Sequence, residues 1–141
     1  MSTRLLAVTL STVALAVGCT DSVQDRLHDD WQQTMRCSAY YTLRAESAQK
    51  SRTAAGRRTA DTAHADAALT FEYSHELGSL AGRTLADTDA ALREITADLR
   101  DTVDADLTNI GRLRTRYEDQ CATIVTGSQA RIELWRHELA D

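Results

Sequence analysis

From Val23 onward, apolar residues recur every three or four positions, the spacing of helices that each bury one face. Val23, Leu27, Trp31, Thr34 or Met35, and Tyr41 make a first stripe. Ala60, Ala63, Ala67, Phe71, Ser74, Leu77 and Ala81 make a second, poorer in large side chains. Leu85, Leu92, Ile95, Leu99, Val103 and Leu107 follow as a third, and Ile110, Leu113, Tyr117, Cys121, Ile124, Ile132 and Trp135 as a fourth. No run alternates β-branched with polar residues, so strands are not expected.

The breaks between stripes are soft because the chain has no proline. Ser51 to Thr59, with Gly56, is the expected first turn. Gly78 to Thr84 is the second: Gly82 suits the left-handed residue that ends a helix, and Thr84 with Asp87 has the form of a capping box. Asn109 and Gly111 mark a third. These turns predict an all-α, antiparallel up-down bundle of four helices near 22–52, 58–81, 84–108 and 111–140. Without the third turn, 85–140 would be one long helix in a three-helix arrangement.

Composition narrows the class. The 141 residues suit one domain, and 43% apolar content is enough for a single core. Six glycines, no proline and few aromatic residues argue against a sandwich or barrel, which need turn chemistry missing here. Sixteen basic against twenty-one acidic residues give a formal charge of −5, which argues against a nucleic-acid partner.

The first residues read as an address. One charge at Arg4 precedes an uncharged stretch from Leu5 to Val17, too short to span a bilayer and right for a secretory signal. Ala16-Val17-Gly18-Cys19 resembles the lipobox of bacterial lipoproteins, departing from it at Ala16, where leucine is commonest. The resemblance implies cleavage before Cys19 and acylation of that cysteine, palmitate being the kind of chain attached. It divides the chain into a signal peptide at 1–18, a lipidated tether at 19–22 and one helical domain at 23–141. Thr20 after the cysteine, in place of the aspartate common in inner-membrane lipoproteins, favours the outer membrane in a two-membrane cell. The alternative is cleavage after Ala14-Leu15-Ala16, which would release a soluble periplasmic protein.

Cysteine arithmetic bears on this choice. Three cysteines in an exported chain leave one unpaired, and acylating Cys19 leaves Cys37 and Cys121 to form a disulfide. Each lies near the middle of its helix, and the first and fourth helices of an up-down bundle are antiparallel neighbours. The bridge would set Trp31 against Gly127, Thr34 against Ile124 and Tyr41 against Tyr117, with Tyr40 nearer the rim. It would close a loop of about 85 residues, worth roughly 4 kcal/mol on chain entropy. The first and third turns would then share one end of the bundle.

Between Leu43 and Leu69 the only apolar residues are alanines, while Arg44, Lys50, Arg52, Arg57 and Arg58 cluster there. This predicts a helical hairpin tip projecting beyond the core. Arg52, Arg57 and Arg58 are its candidate contacts for an envelope protein or an anionic cell-wall partner, weighed against a merely solvated tip. Each histidine follows a carboxylate by one turn: Asp25/His28, Asp61/His64, Glu72/His75 and Glu133/His137. Glu72-Tyr73-Ser74-His75 has the spacing of carboxylate-bridged di-iron bundles, but no second copy exists. Glu72 and His75 are therefore weak metal candidates, and no cofactor is expected. No nucleophile elbow or phosphate loop is present, so no enzyme is expected. The sequence reads as a non-enzymatic envelope lipoprotein anchored through Cys19, an interaction or structural module whose partner and oligomeric state it does not name. A periplasmic bundle binding a metal ion or small apolar ligand is the alternative.

Overall fold

The computed structural model describes residues 22–140, so the signal segment, the lipobox and Cys19 lie outside the described residues. Those described form four α-helices without strands: α1 (Val23–Gln49), α2 (Ala54–Leu80), α3 (Leu85–Thr102) and α4 (Gly111–Glu138). Helix α1 starts at a capping box, in which Ser22 and Asp25 satisfy each other's backbone N–H groups. The chain turns at residues 50–53, and Thr53 caps α2 by accepting from the Gly56 N–H. That cap starts α2 four residues earlier than the position of Gly56 in the sequence suggested.

The second turn matches expectation closely. Gly82 is left-handed at φ 71°, and the N–H groups of Gly82 and Arg83 return to the carbonyls of Ser79 and Gly78. Thr84 and Asp87 then form a capping box for α3. The third turn differs. Helix α3 stops at Thr102 instead of running to 108, because Asp104 and Ala105 are both left-handed, at φ 58° and 56°. A short 3-10 turn at Leu107–Asn109 leads into α4, so the single long helix over 85–140 does not form.

Helices α1 and α2 are the closest pair in the fold, and α3 and α4 flank this pair with little contact between them. The facing surfaces explain the closeness: Ala39, Ala45, Ala60, Ala63, Ser38, Thr70 and Ser74 are all buried. Small side chains let two backbones approach, and the buried hydroxyls bond within the pair. Ser38 donates to the Ala67 carbonyl, and Thr70 and Ser74 donate to carbonyls one turn back. The alanine-rich stretch is thus packed against α1, and the expected projecting tip shrinks to the exposed residues around 49–59.

Cys37 and Cys121 are bridged, with their Cα atoms 5.3 Å apart, and join α1 to α4 as expected. The first and third turns do share one end: Ser47 donates to the Leu107 carbonyl, and Glu46 receives two hydrogen bonds from Arg100. The expected facing pairs need correction. Tyr40, not Tyr41, faces Tyr117, at 6.1 Å between rings, and Tyr40 is fully buried, not at the rim. Trp31 does sit against a glycine, but that glycine is Gly78 of α2, not Gly127. A Cβ on Gly78 would come within 3.0 Å of the indole nitrogen and 2.6 Å of Thr88 Oγ1, whereas one on Gly127 would meet nothing. The second stripe also shifts: Phe71 is 39% exposed, and Thr70 and Tyr73 take its place inside. Leu85, expected in the third stripe, is 67% exposed because it opens α3 beyond the end of the core.

Candidate functional site

The sequence-predicted candidates separate in space. Arg52, Arg57 and Arg58 are exposed around the first turn, where Arg57 donates to the Arg52 carbonyl. Arg52 and Arg58 form no ion pair among the described residues. Arg44, placed by sequence in the same cluster, is instead half-buried and pairs with Glu118 of α4 at 3.2 Å.

Glu72 and His75 do not converge. Glu72 lines a groove of about 120 Å³ between α2 and α4 with Glu76, Tyr73 and Gln129. His75 instead sits edge-on to Phe71, with Nε2 3.2 Å from Asp89 of α3 and off the line of a hydrogen bond. His28 and His64 hydrogen-bond to amides, meeting Gln32 at 3.0 Å and Gln49 at 2.6 Å, with Asp25 still within electrostatic reach of His28. Asp25 is held by Ser22, whose hydrogen bonds keep its carboxyl below the usual range. No group of three or more metal-ligating side chains converges among the described residues.

Two buried arrangements were not singled out by sequence. The first joins α1 to α4. Asp30, with a side chain only 4% exposed, accepts from Arg131 through Nη2 and, at 3.3 Å, through Nε. It also accepts from the Trp135 indole N–H at 2.6 Å. Burial opposes the Arg131 charge, yet the hydrogen bonds and charge of Asp30 outweigh it and hold the guanidinium above its ordinary pKa. Tyr73 stands beside this pair with a buried hydroxyl whose proton has no acceptor and on whose oxygen Arg131 acts. Burial, aided by the charge on Asp30, pushes its phenol up to about 12.

The second lies at the end of the bundle holding the first and third turns. Tyr40, Arg44, Ser47 and Ala48 of α1, Gly56 and Thr59 of α2, Ile110, and Arg114 of α4 line a groove of about 340 Å³. The Tyr40 hydroxyl is buried with its proton lacking an acceptor, and the Arg44 guanidinium is the hydrogen-bonding group beside its oxygen. Burial raises its pKa against the pull of Arg44, while Glu118 and Arg114 also act on it, so the hydroxyl end of the ring is the end near these charges. Glu118 spans both arginines, 3.2 Å from Arg44 and 3.6 Å from Arg114. An adjoining groove shares Arg44 and Thr59 and adds Arg58, Ala55 and Thr62. Two signals for this site are visible in sequence, the basic cluster that includes Arg44 and Arg58 and the spacing that puts Tyr40 and Arg44 one turn apart on one face.

No protein-family model, curated protein or solved structure matches the chain. No helix among the described residues is long and apolar enough to cross a membrane.

Proposed function

We propose that the chain is a small non-enzymatic lipoprotein of a bacterial envelope, anchored through acylated Cys19 and acting as an interaction or structural module for an anionic envelope component. The observation that carries this reading is the polarity of the bundle. Helix α1 begins at Val23, shortly after Cys19, and its 27 residues rise about 40 Å to the far end. That far end carries Arg52 and Arg58, unpaired with any carboxylate among the described residues, and the groove of Arg44 and Arg114. A lipid at Cys19 would hold the near end at the membrane and present the arginines away from it. In a two-membrane cell a domain so anchored would face the periplasm, and Thr20 favours the outer membrane.

Intact mass of the protein extracted from bacterial envelopes tests the anchor. The expected result is a chain starting at Cys19, heavier by its acyl chains and lighter by the two hydrogens of the Cys37–Cys121 bridge. A chain starting at Val17 would refute the anchor. Reversing Arg52, Arg57 and Arg58 to Glu should abolish co-purification with the envelope component; retained co-purification would show that the tip is only solvated surface.

A further inference from the structure

A buried phenol whose proton has no acceptor is unusual, because a buried donor left unsatisfied costs about 1–3 kcal/mol. Tyr40 is such a group, fully buried at the edge of a groove large enough for a small molecule. The other hydroxyls around the groove have their protons engaged: Ser47 donates to Leu107 and Thr59 to Ala55. The donors left are the Tyr40 O–H and the guanidinium groups of Arg44 and Arg114, whose ion pairs are with the half-exposed Glu118; Arg44 also acts on the Tyr40 oxygen and on Asp66 of α2. Glu118 and, from beyond ion-pair distance, Asp66 offset the charges of Arg44 and Arg114, and Arg58 in the adjoining groove restores a positive balance beside the Tyr40 O–H.

We propose that this groove binds a phosphate group carried on a small organic body, with Arg44, Arg114 and the Tyr40 hydroxyl donating to its oxygens. The chemistry favours phosphate over carboxylate. Three donors arrive from two helices, and a tetrahedral group with three terminal oxygens can accept from all of them. A planar carboxylate has two oxygens and fits a single guanidinium fork better. A phosphate dianion also competes for the arginines with Glu118, which carries one charge and can swing into solvent. The groove exceeds the volume of a phosphate alone, and Ala48 and Ile110 give the remaining wall an apolar surface for the attached body. Arg58 in the adjoining groove extends the same positive field. This inference deepens the anionic-partner reading above by naming the group recognised, and it does not require the acyl anchor.

The test is calorimetric titration of the purified full chain, disulfide formed, with glycerol phosphate, inorganic phosphate and acetate at low salt. Glycerol phosphate should bind with a Kd below about 1 mM, more tightly than acetate. Arg114→Met, at an exposed position that tolerates the change, should weaken it at least about tenfold. Tyr40→Phe should weaken it about threefold or more while leaving the unfolding midpoint unchanged or raised, an outcome a purely structural tyrosine would not give. Glu118→Gln should tighten it by removing the competing carboxylate. Flotation with phosphatidic acid against phosphatidylcholine vesicles, using Cys19→Ser protein, separates the two sources of phosphate. Binding that is sensitive to Arg114 in either arm supports the site and says whether the phosphate belongs to a lipid or a soluble molecule. Absence of binding in both arms, equal affinity for acetate, or binding indifferent to Arg114→Met would overturn it. The mass measurement is independent, so failure of the anchor and failure of the site are distinguishable.

Discussion

Asp30 and Arg131 are unequally buried, and that inequality predicts an unequal response to mutation. The Asp30 side chain is 4% exposed and that of Arg131 37%. Asp30→Asn leaves a guanidinium that can turn into water, and the new amide oxygen can still accept from Trp135. The loss should be about 1–2 kcal/mol. Arg131→Met leaves a carboxylate almost without solvent, with the Trp135 N–H as its one remaining donor among the described contacts. Breaking a buried pair in this direction costs about 3–5 kcal/mol. The double variant should recover much of that loss, because neither charge is then stranded. Urea denaturation followed by tryptophan fluorescence and circular dichroism gives each value. The sign with pH follows from linkage. A carboxylate stripped of its cation is more easily buried protonated, so the folded Arg131→Met variant holds a proton that the unfolded chain has released by neutral pH. Its deficit should therefore be largest at neutral pH and shrink as pH falls toward the ordinary carboxylate range near 4. Asp30→Asn costing as much as Arg131→Met, or an Arg131→Met deficit that does not shrink in acid, would falsify this account of the pair.

Two glycines of similar appearance in sequence should behave oppositely. Gly78→Ala brings a Cβ within 2.6 Å of Thr88 and 3.0 Å of Trp31, and should destabilise by about 1–2 kcal/mol despite the better helix former. Gly127→Ala meets nothing within 4 Å and should stabilise α4 by up to about 1 kcal/mol; thermal unfolding of both variants checks the packing of Trp31. Ala105→Gly relieves a left-handed alanine and should raise stability by about 0.5–1 kcal/mol, and a loss instead would mean that the turn takes another form in solution. Burial pushes the phenols of Tyr41 and Tyr73 up to about 12, from 10 for an exposed tyrosine. The folded chain thus retains protons that the unfolded chain loses, so stability should fall as pH rises from 10 to 12. Tyr73→Phe should blunt that fall in alkaline denaturation followed by phenolate absorbance.

The helices, the second turn and the disulfide were legible because each rests on local chemistry or on topology. Gly82 and Thr84-x-x-Asp87 specify their turn within a few residues, and an up-down bundle leaves the mid-helix cysteines of α1 and α4 side by side. The third turn was harder to place, because left-handed Asp104 and Ala105 are not residues that announce that conformation. Packing partners were least legible. A single bridge fixes the level of α4 against α1 but says nothing about rotation, so it does not distinguish Tyr40 from Tyr41 opposite Tyr117, or Gly78 from Gly127 beside Trp31. The Asp30 pair was hidden for another reason. One aspartate beside Trp31 looks like any acidic helix residue until Arg131 and Trp135, more than a hundred positions away, arrive beside it. The intrahelical spacing does not fix the rings' hydrogen bonds, because His28 and His64 meet Gln32 and Gln49 while His75 packs on Phe71 beside Asp89.

The poverty of large side chains between Leu43 and Leu69 suggested a tip with little to bury, and the structure gives that poverty a second consequence. Ala48 and Thr59 are too small to fill the space near the first turn, so a groove remains where larger residues would have extended the core. If that space serves binding, filling it should separate stability from function. Ala48→Leu puts apolar volume into the groove beside Ile110. Each added methylene removed from water contributes up to about 0.8 kcal/mol, so the variant should unfold at an equal or higher temperature. It should also lose affinity for glycerol phosphate, because its side chain occupies the wall assigned to the organic body, while Arg44, Arg114 and Tyr40 stay in place. Inorganic phosphate, which needs the donors and not the wall, should be affected less. Equal loss for both probes would place the leucine across the donors themselves, and unchanged affinity for both would mean that the ligand does not enter the groove.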